Sequence, residues 1–548
     1  MATRGGGVQQ ITFGKFNFGF DLRKGESVSD ANRLRDCENA LVTTGNAIEK
    51  RNGIRKIATL EPGTKGLYYG LGKLNTFHAA GDITHADERF QANKVPLFES
   101  DDETTWTASD TTGLADVLYA DVFQGYLYCA PKYDNGIIRH HYLDEGNRKV
   151  KNPDYVPPVE EPEPDDPEPD DPDNPDDPPV DPGPEEPEYL DITGVTQILD
   201  PNCPHSDAVI KNSAKMFAVG VDRDVVRYSK TTDPTDWSTP DDAGFLPTGL
   251  NSRGDRSTYA LGVYGRKLVA LARDASQVWE SDPDPTKMFL DTIVDNVGTL
   301  FPDSLATVGE NLFFLSDFGF RSISTKEWTD ALQGMDVGAA IDQISRPFIR
   351  DVIKPEGISP KAGFYYGTRQ YLCFAGRRVF VFTYSRESNV SAWSTYTLPI
   401  EIDHMTEMAG ELYLRSGDDV YVLDTDNYVD YDGTNINADG EDEGREYEVR
   451  VQLPFMNFKQ PGIMKRITGI DIVKEGICEV AIMCNPNHQG KPQYTTPFVQ
   501  IYANNTRSGG RIPFQCAGTE FSIVIRHKSK EYFRLDEISV YFVSQGAG

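Results

Sequence analysis

One rhythm recurs along most of this chain and limits what it can fold into. In residues 405–424, MTEMAGELYLRSGDDVYVLD, a turn at Gly410-Glu411 leads into LYLRS, and a turn at Gly417-Asp418-Asp419 leads into VYVLD. Residues 305–324, LATVGENLFFLSDFGFRSIS, repeat the pattern with Gly-Glu-Asn and Asp-Phe-Gly turns, and residues 259–281 and 362–385 follow it. Residues 66–81, 120–142 and 211–229 are looser copies. Each unit reads as a β-meander, with Gly or Asn where the turn needs a positive φ. A meander cannot cover both of its own faces, so the units must stack on one another. Spacings of roughly 40 to 60 residues suit propeller blades, and the number of candidates predicts six to eight of them. A run of hairpins in stacked sandwiches is the alternative.

The tryptophans extend this reading. WST occurs at Trp237 and again at Trp393, and Trp106 and Trp328 are each followed by Thr. A large ring beside a small hydroxyl residue, repeated at comparable points, is what equivalent outer strands would produce. The expected architecture is therefore mainly β. Residues 1–60 form an N-terminal β-rich platform segment, 61–430 a β-propeller, and 431–548 a separate C-terminal β-sandwich. The sandwich is expected from the longer alternating strands of segments such as FSIVIRHKSKEYFRLDEISVYFV, 521–543.

Residues 152–189 interrupt the rhythm. They hold 16 acidic residues and neither Lys nor Arg. Repeated Pro blocks helix and sheet ladders, and like charges extend the chain. As polyproline II, a segment of this length spans on the order of 100 Å. It is expected to be a solvated insertion whose deletion leaves thermal stability nearly unchanged; an acidic spacer lying on a neighbouring subunit is the alternative. The chain carries a formal charge of -31, and removing the segment's 16 carboxylates still leaves -15. Wrapping DNA or docking on an anionic membrane is disfavoured by such a balance, because both need Lys and Arg to displace counterions.

The start, MATRGGGVQQITFGKFNFGF, lacks the apolar core of a signal peptide, and no apolar run is long enough to span a bilayer. The seven cysteines are scattered, odd in number and without a CxxC pair. Free thiols fit this pattern better than a disulfide framework or a zinc site.

No motif points to catalysis, and no cofactor or metal is expected. The eight histidines show no HExxH or other ligand spacing, and His140-His141, beside a turn, is expected to be exposed. The Asp-rich loop 424–443 invites calcium, but EF-hand spacing fails there, with Tyr428 at the fifth position from Asp424. It reads as a solvated turn. A sialidase-like propeller glycosidase would carry repeated Ser-x-Asp-x-Gly-x-Thr-Trp turns. The nearest match, SKTTDPTDWS (229–238), lacks the Gly and does not repeat. Paired carboxylates are too common in an acidic chain to locate such a site.

Several stretches together resemble one family. These are ITFGKFNFGFDLR (11–23), NALVTTGNAIEKRNGIRKI (39–57), VVRYSKTTDPTDWS, DSLATVGENLFFLSDFGFRSIS, and YDGTNINADGEDEGREYEVRVQLPFMNFKQPGIMKRITGIDI (431–472). They are similar to the packaged-DNA stabilisation proteins, also called tail hub or tubular nozzle proteins, of short-tailed bacteriophages. The likeness covers most of the chain outside the acidic insertion. It implies a virion tail protein made in the host cytoplasm that forms a ring, usually a hexamer, below the portal and adaptor. Such a ring also meets tail fibre or spike proteins. It extends the DNA channel, retains packaged DNA and conducts it during ejection without binding it specifically. The resemblance further implies that 39–57 lies in a platform near the adaptor, with a hairpin around TTGN and Lys50-Arg51 beside a second turn. Lys50, Arg51 and Arg55 are the expected basic contacts with the adaptor. A receptor-binding tail module, usually trimeric, is a further alternative.

Overall fold

The computed structural model describes residues 7–23, 32–96, 98–100, 106–108, 113–144, 149–151, 189–191, 194–251, 257–325, 332–335, 337–485 and 493–544. The acidic insertion lies outside them apart from Tyr189, as do Trp328 and the side chain of Trp106. The protein is mainly β, built from many small sheets with one short helix between residues 342 and 356.

Six of the seven meanders read from the sequence become three successive antiparallel strands, whereas the 66–81 unit supplies only an antiparallel pair, which Phe90–Lys94 joins in parallel. Sheet 1 comprises Lys65–Gly70, Lys73–His78 and Phe90–Lys94. Sheet 2 comprises Leu114–Phe123, Tyr126–Tyr133, His141–Asp144 and Thr196–Gln197. Sheet 3 comprises Val209–Asn212, Lys215–Val219, Val226–Tyr228 and Gly244–Leu246, and sheet 4 Ala260–Tyr264, Lys267–Leu271, Ala275–Glu280 and Phe289–Asp295. Sheet 5 comprises Ala306–Val308, Asn311–Ser316, Gly319–Thr325 and Leu332–Met335, and sheet 6 Lys361–Tyr365, Gln370–Ala375, Arg378–Ser385 and Val390–Thr397. Sheet 7 takes three strands from His404–Met408, Glu411–Ser416 and Asp419–Asp424, and its fourth, Gly53–Thr59, from the other end of the chain. The tight turns explain the spacing: between Met408 and Glu411 both loop residues, Ala409 (φ +55) and Gly410 (φ +83), adopt the left-handed conformation that matches strand twist.

The alternation of each strand leaves both faces apolar, and each sheet buries them on its neighbours. Val117 and Leu127 of sheet 2 meet Phe77 of sheet 1, and Tyr128 and Ala130 on the opposite face meet Met216 and Ala218 of sheet 3. Phe217 and Val219 pack on Leu268 and Trp279 of sheet 4, whose Val269 and Val278 pack on Phe314 and Ile323 of sheet 5. Phe313 and Phe320 pack on Tyr371 and Phe382 of sheet 6, whose Leu372 and Phe374 pack on Leu412 and Leu414 of sheet 7. Tyr413 and Val420 of sheet 7 share a core with Leu67 and Leu74 of sheet 1.

The terminal regions interlock. Gln9–Phe13, Ala40–Val42 and Ile48–Lys50 join Arg534–Ser544, Lys465–Glu475 and Cys516–Gly518 in one six-stranded sheet. Asp36–Glu38 runs parallel to the last strand of sheet 6, pairing Glu38 with Thr395, and pairs on its other side with Val449–Gln452. It thereby joins sheet 6 to Phe521–His527, Cys478–Cys484 and the short strands Tyr494–Thr495 and Val499–Ile501 as one ten-stranded sheet. The C-terminal region is therefore continuous with sheet 6, not separate. Phe13, Ile48, Ile470 and Ile538 of the six-stranded sheet face Cys37, Val451, Ile482 and Ile525 of the ten-stranded sheet across a single core. The sequence hid this because the pairing partners lie hundreds of residues apart.

The tryptophans do not mark equivalent strands. Trp237 sits in the loop between two strands of sheet 3, where its indole N–H donates to Pro234 O at 3.0 Å. Trp393 is inside a strand of sheet 6 and donates to Val337 O at 3.0 Å. Each ring fills a local gap, so the shared WST is not a repeat mark.

Candidate functional site

The first strands of all seven sheets contribute to one cavity of about 360 Å³. Its wall is apolar in part, with Leu261, Leu305 and Leu312, and carries a few convergent polar groups, the usual make-up of a ligand-sized site. His404 Nε2 lies 3.1 Å from Asp116 Oδ1, and Tyr68 sets its ring edge against the His404 ring at 5.5 Å between centroids. The Tyr68 hydroxyl donates to Val117 O at 2.6 Å. Burial pushes the phenol well above its ordinary pKa, so it stays protonated. Across the cavity Lys361 Nζ donates to Asp303 Oδ2 at 2.7 Å. Asp207, at the edge, is held by Arg223 at 2.6 Å.

These charges are committed to one another. Burial pushes the Asp116 carboxyl upward, but the hydrogen bond and charge of His404 outweigh it and leave the carboxyl below its usual range. That direction favours the ionised carboxylate of Asp116.

The three cations singled out in the sequence do not form one exposed edge. TTGN does turn a hairpin, pairing Ala40 with Lys50 and Val42 with Ile48. Arg51 and Asn52 then carry the chain from the six-stranded sheet into sheet 7. Gly53 is required there, because a Cβ would lie 1.9 Å from Val429 O. Arg51 is 1% exposed, and all five of its N–H groups find acceptors. Nε donates to Asn39 Oδ1 at 3.1 Å; Nη1 donates to Asn52 O at 2.9 Å and Asp430 Oδ1 at 2.8 Å; Nη2 donates to Thr397 O at 3.2 Å and Asp430 Oδ2 at 2.6 Å. The guanidinium lies over the Tyr447 ring at 3.6 Å, and the Tyr447 hydroxyl donates to Arg51 O at 2.5 Å. Lys50 is buried too, with Nζ donating to Ser529 O at 2.6 Å and standing 4.5 Å above the Tyr447 ring. Lys50 and Arg51 thus lie in an internal clamp, because Asp430 and Tyr447 close over Arg51, and Tyr447 with the Ser529 and Glu531 carbonyls over Lys50. Arg55 alone is half exposed, paired with Asp424 at 2.8 Å.

The Asp-rich loop spends its carboxylates in the same way. Asp430 serves Arg51 and the Ile54 N–H at 3.1 Å, Asp432 caps Thr434 N at 3.0 Å, and Asp442 accepts from Gly433 N at 2.7 Å and Gly444 N at 2.8 Å. His140 and His141 are fully buried, contrary to the exposed turn expected for them. Asp134–Gly136 of the adjoining turn are exposed, but the turn's end at His140 and the strand start at His141 are both buried.

No family model matches the chain, and no curated protein matches it. Among solved structures the chain is similar to BamB from Moraxella catarrhalis at 10% identity and a TM-score of 0.34, over 76% of this chain and 97% of that one. A likeness at that score carries no argument here.

Proposed function

We propose that the seven sheets are the blades of one β-propeller, that the two-layer core is a β-sandwich fused to it, and that the protein is a structural ring subunit of a short phage tail. In this reading the ring extends the DNA channel below the portal and adaptor, retains packaged DNA and conducts it during ejection. The observation that carries it is where the resembling segments lie. Residues 11–23, 39–57 and 431–472 are remote in sequence, yet they meet: Ile11 pairs with Val540 beside Lys465–Glu475, and Arg51 is clamped by Asp430 next to Tyr431. A likeness spread over one interlocked unit is better support than scattered matches.

The cavity among the first strands, at about 360 Å³, is ligand-sized and far too small for a duplex. The DNA channel of the proposed ring therefore runs between subunits. A charge of -31 per chain favours a lumen that repels phosphate and offers no counterion release, so DNA meets no deep wells. Repulsion is screened over about 8 Å at physiological salt, so it acts only where the wall is close to the duplex.

The test is mass photometry and electron microscopy of the purified chain, alone and with portal–adaptor complexes, followed by titration with duplex DNA at low salt. The expected result is a ring of six 61.0 kDa chains on the adaptor with little affinity for free DNA. A protein that ignores the adaptor and binds duplex tightly overturns the reading. A trimer favours a receptor-binding module, and turnover of host polysaccharide favours an enzyme.

A further inference from the structure

His140, Cys203 and His205 come from two stretches that the sequence keeps apart. His140 ends the turn before the third strand of sheet 2, and Cys203 and His205 lie on the connection from sheet 2 to sheet 3. That connection folds back on the strand: Ile198 N donates to His140 O at 2.9 Å and Cys203 N to Asp200 O at 3.0 Å. His205 takes a left-handed backbone (φ +48), uncommon for a residue with a Cβ, and this brings its Nδ1 to 3.0 Å from the His140 backbone N. One donor atom from each of the three side chains then lies within 4.8 Å of the others.

We infer that His140, Cys203 and His205 form a binding site for a borderline-soft divalent cation, zinc in particular. The first support is spacing. Cys203 Sγ is 3.5 Å from His140 Nδ1 and 3.7 Å from His205 Nδ1. A tetrahedral zinc with the usual Zn–S and Zn–N bond lengths sets its sulfur and nitrogen ligands about 3.6 Å apart. Both sulfur–nitrogen edges are therefore already at ligand distance.

The second support is orientation. His140 Nε2 lies 2.8 Å from Ser206 O, an acceptor only, so Nε2 carries the proton and the Nδ1 lone pair faces the cluster. A ligating imidazole whose other nitrogen donates to a backbone carbonyl is the common outer-shell arrangement at zinc. The Tyr128 hydroxyl, 2.6 Å from His140 Nδ1, brings an oxygen to the same point. The donor set is two imidazoles and a thiol with an oxygen alongside, which suits zinc and not calcium or magnesium.

Access agrees with this. His140, Cys203 and Tyr128 are buried, whereas His205 is part exposed and gives a path from solvent. As the Zn–S bond forms the S–H bond breaks, and its proton passes to solvent. The cation also displaces the Tyr128 O–H and the His140 N–H that hold the two Nδ1 lone pairs, so affinity falls below that of a closed four-cysteine site.

The experiment uses the full chain, dialysed against a chelator and titrated with Co²⁺ and then Zn²⁺. The expected result is one equivalent of Co²⁺ per chain with a thiolate-to-cobalt charge-transfer band, displacement by Zn²⁺, release of about one proton per bound ion, and a rise in Tm. Cys203→Ser should abolish the band, while Cys373→Ser, a buried thiol elsewhere, should keep it. If Cys203→Ser does not fold, His205→Ala at the part-exposed position should weaken cobalt affinity at least tenfold. A folded wild-type chain that binds no stoichiometric cobalt overturns the inference, as does a band that survives Cys203→Ser or, where that variant does not fold, survives His205→Ala with affinity unchanged.

Discussion

Arg51 and His140 are equally deep in the protein, but their surroundings differ in kind. Around Arg51 every donor is matched to a fixed acceptor and the positive charge is cancelled by Asp430. Around His140 several ligand atoms face one another, with Cys203 Sγ shared between two imidazoles. A cluster of the first kind has no capacity left for anything else. It can only hold, and it holds the crossing where the chain passes from the six-stranded sheet into sheet 7. A cluster of the second kind holds ligand atoms whose lone pairs accept only hydrogen bonds from uncharged donors, which a cation can displace. Burial of polar groups therefore does not by itself distinguish a structural lock from a site; how the donors and acceptors are balanced does.

The largest expected effect tests the lock. Arg51→Ala strips Asp430 of its charge partner while leaving it buried, and it removes the hydrogen bonds that Asn39 Oδ1 and Thr397 O accept from the guanidinium. Removing one member of a buried pair costs roughly 3–5 kcal/mol, because the other charge is left uncompensated. Urea unfolding of Arg51→Ala should lose that much, and Arg51→Ala/Asp430→Ala together should lose clearly less than the sum of the single variants. Additive losses would mean that the pair is not the unit that holds the crossing.

Cys203→Ala makes the matching change in the other cluster and should cost less, about 1–2 kcal/mol in chelator-treated protein. It removes a small group and strands no charge. A loss as large as that of Arg51→Ala would erase the distinction between the two clusters.

The contrast also bears on what the sequence could reveal. The seven meanders were legible because their pairing is local: strands a few residues apart, joined by turns such as Ala409-Gly410. The TTGN hairpin was legible for the same reason. The fourth strand of sheet 7 was not, since Gly53–Thr59 pairs with residues 419–424 far along the chain. Neither cluster was legible. Arg51 and Asp430 are 379 residues apart, so Lys50-Arg51 looked like an exposed basic turn. His140 and Cys203 are 63 apart, and Cys203-x-His205 matches no familiar ligand spacing. The signal in hand was small: a Cys and a His two apart on a connection between sheets, and a His-His pair at the start of a short strand. Local patterns give strands and turns, and buried polar groups are where such reading fails.

Lys50 offers a pH test of the lock. Burial lowers its ammonium from 10.5 to about 8, with the neighbouring Arg51 charge adding to the effect. Between about pH 8 and 10.5 the unfolded chain binds a proton that the native chain has released. Stability from this group therefore rises with pH through that window. The rise should be on the order of 1 kcal/mol after allowance for solvent screening. Chemical denaturation at pH 7.5 and pH 10 should show it as a difference between the native chain and Lys50→Met, which has no proton to lose there. Equal pH dependence in the two proteins would mean that Lys50 is not held at a lowered pKa.

The smallest effect belongs to Arg55, the one cation of the three that stays at the surface. Its Nε donates to Asp424 Oδ2 at 2.8 Å, and the side chain is 51% exposed. Burial raises the Asp424 carboxyl, but hydrogen bonds from Arg55 and Asn427 outweigh it and leave the group below its usual range. The pair is therefore formed, but exposed pairs contribute less than about 1 kcal/mol. Arg55→Glu should move Tm by no more than about 2 °C. Its value is as a probe of docking, since folding is hardly touched. In the proposed ring, complementary charge at this edge speeds encounter with the adaptor more than it tightens the final complex. Association of Arg55→Glu with portal–adaptor complexes should be several-fold slower at low salt and should converge on the native rate as salt rises. An association rate unchanged at every salt concentration would remove Arg55 from the interface, and with it the last of the three basic residues as an adaptor contact.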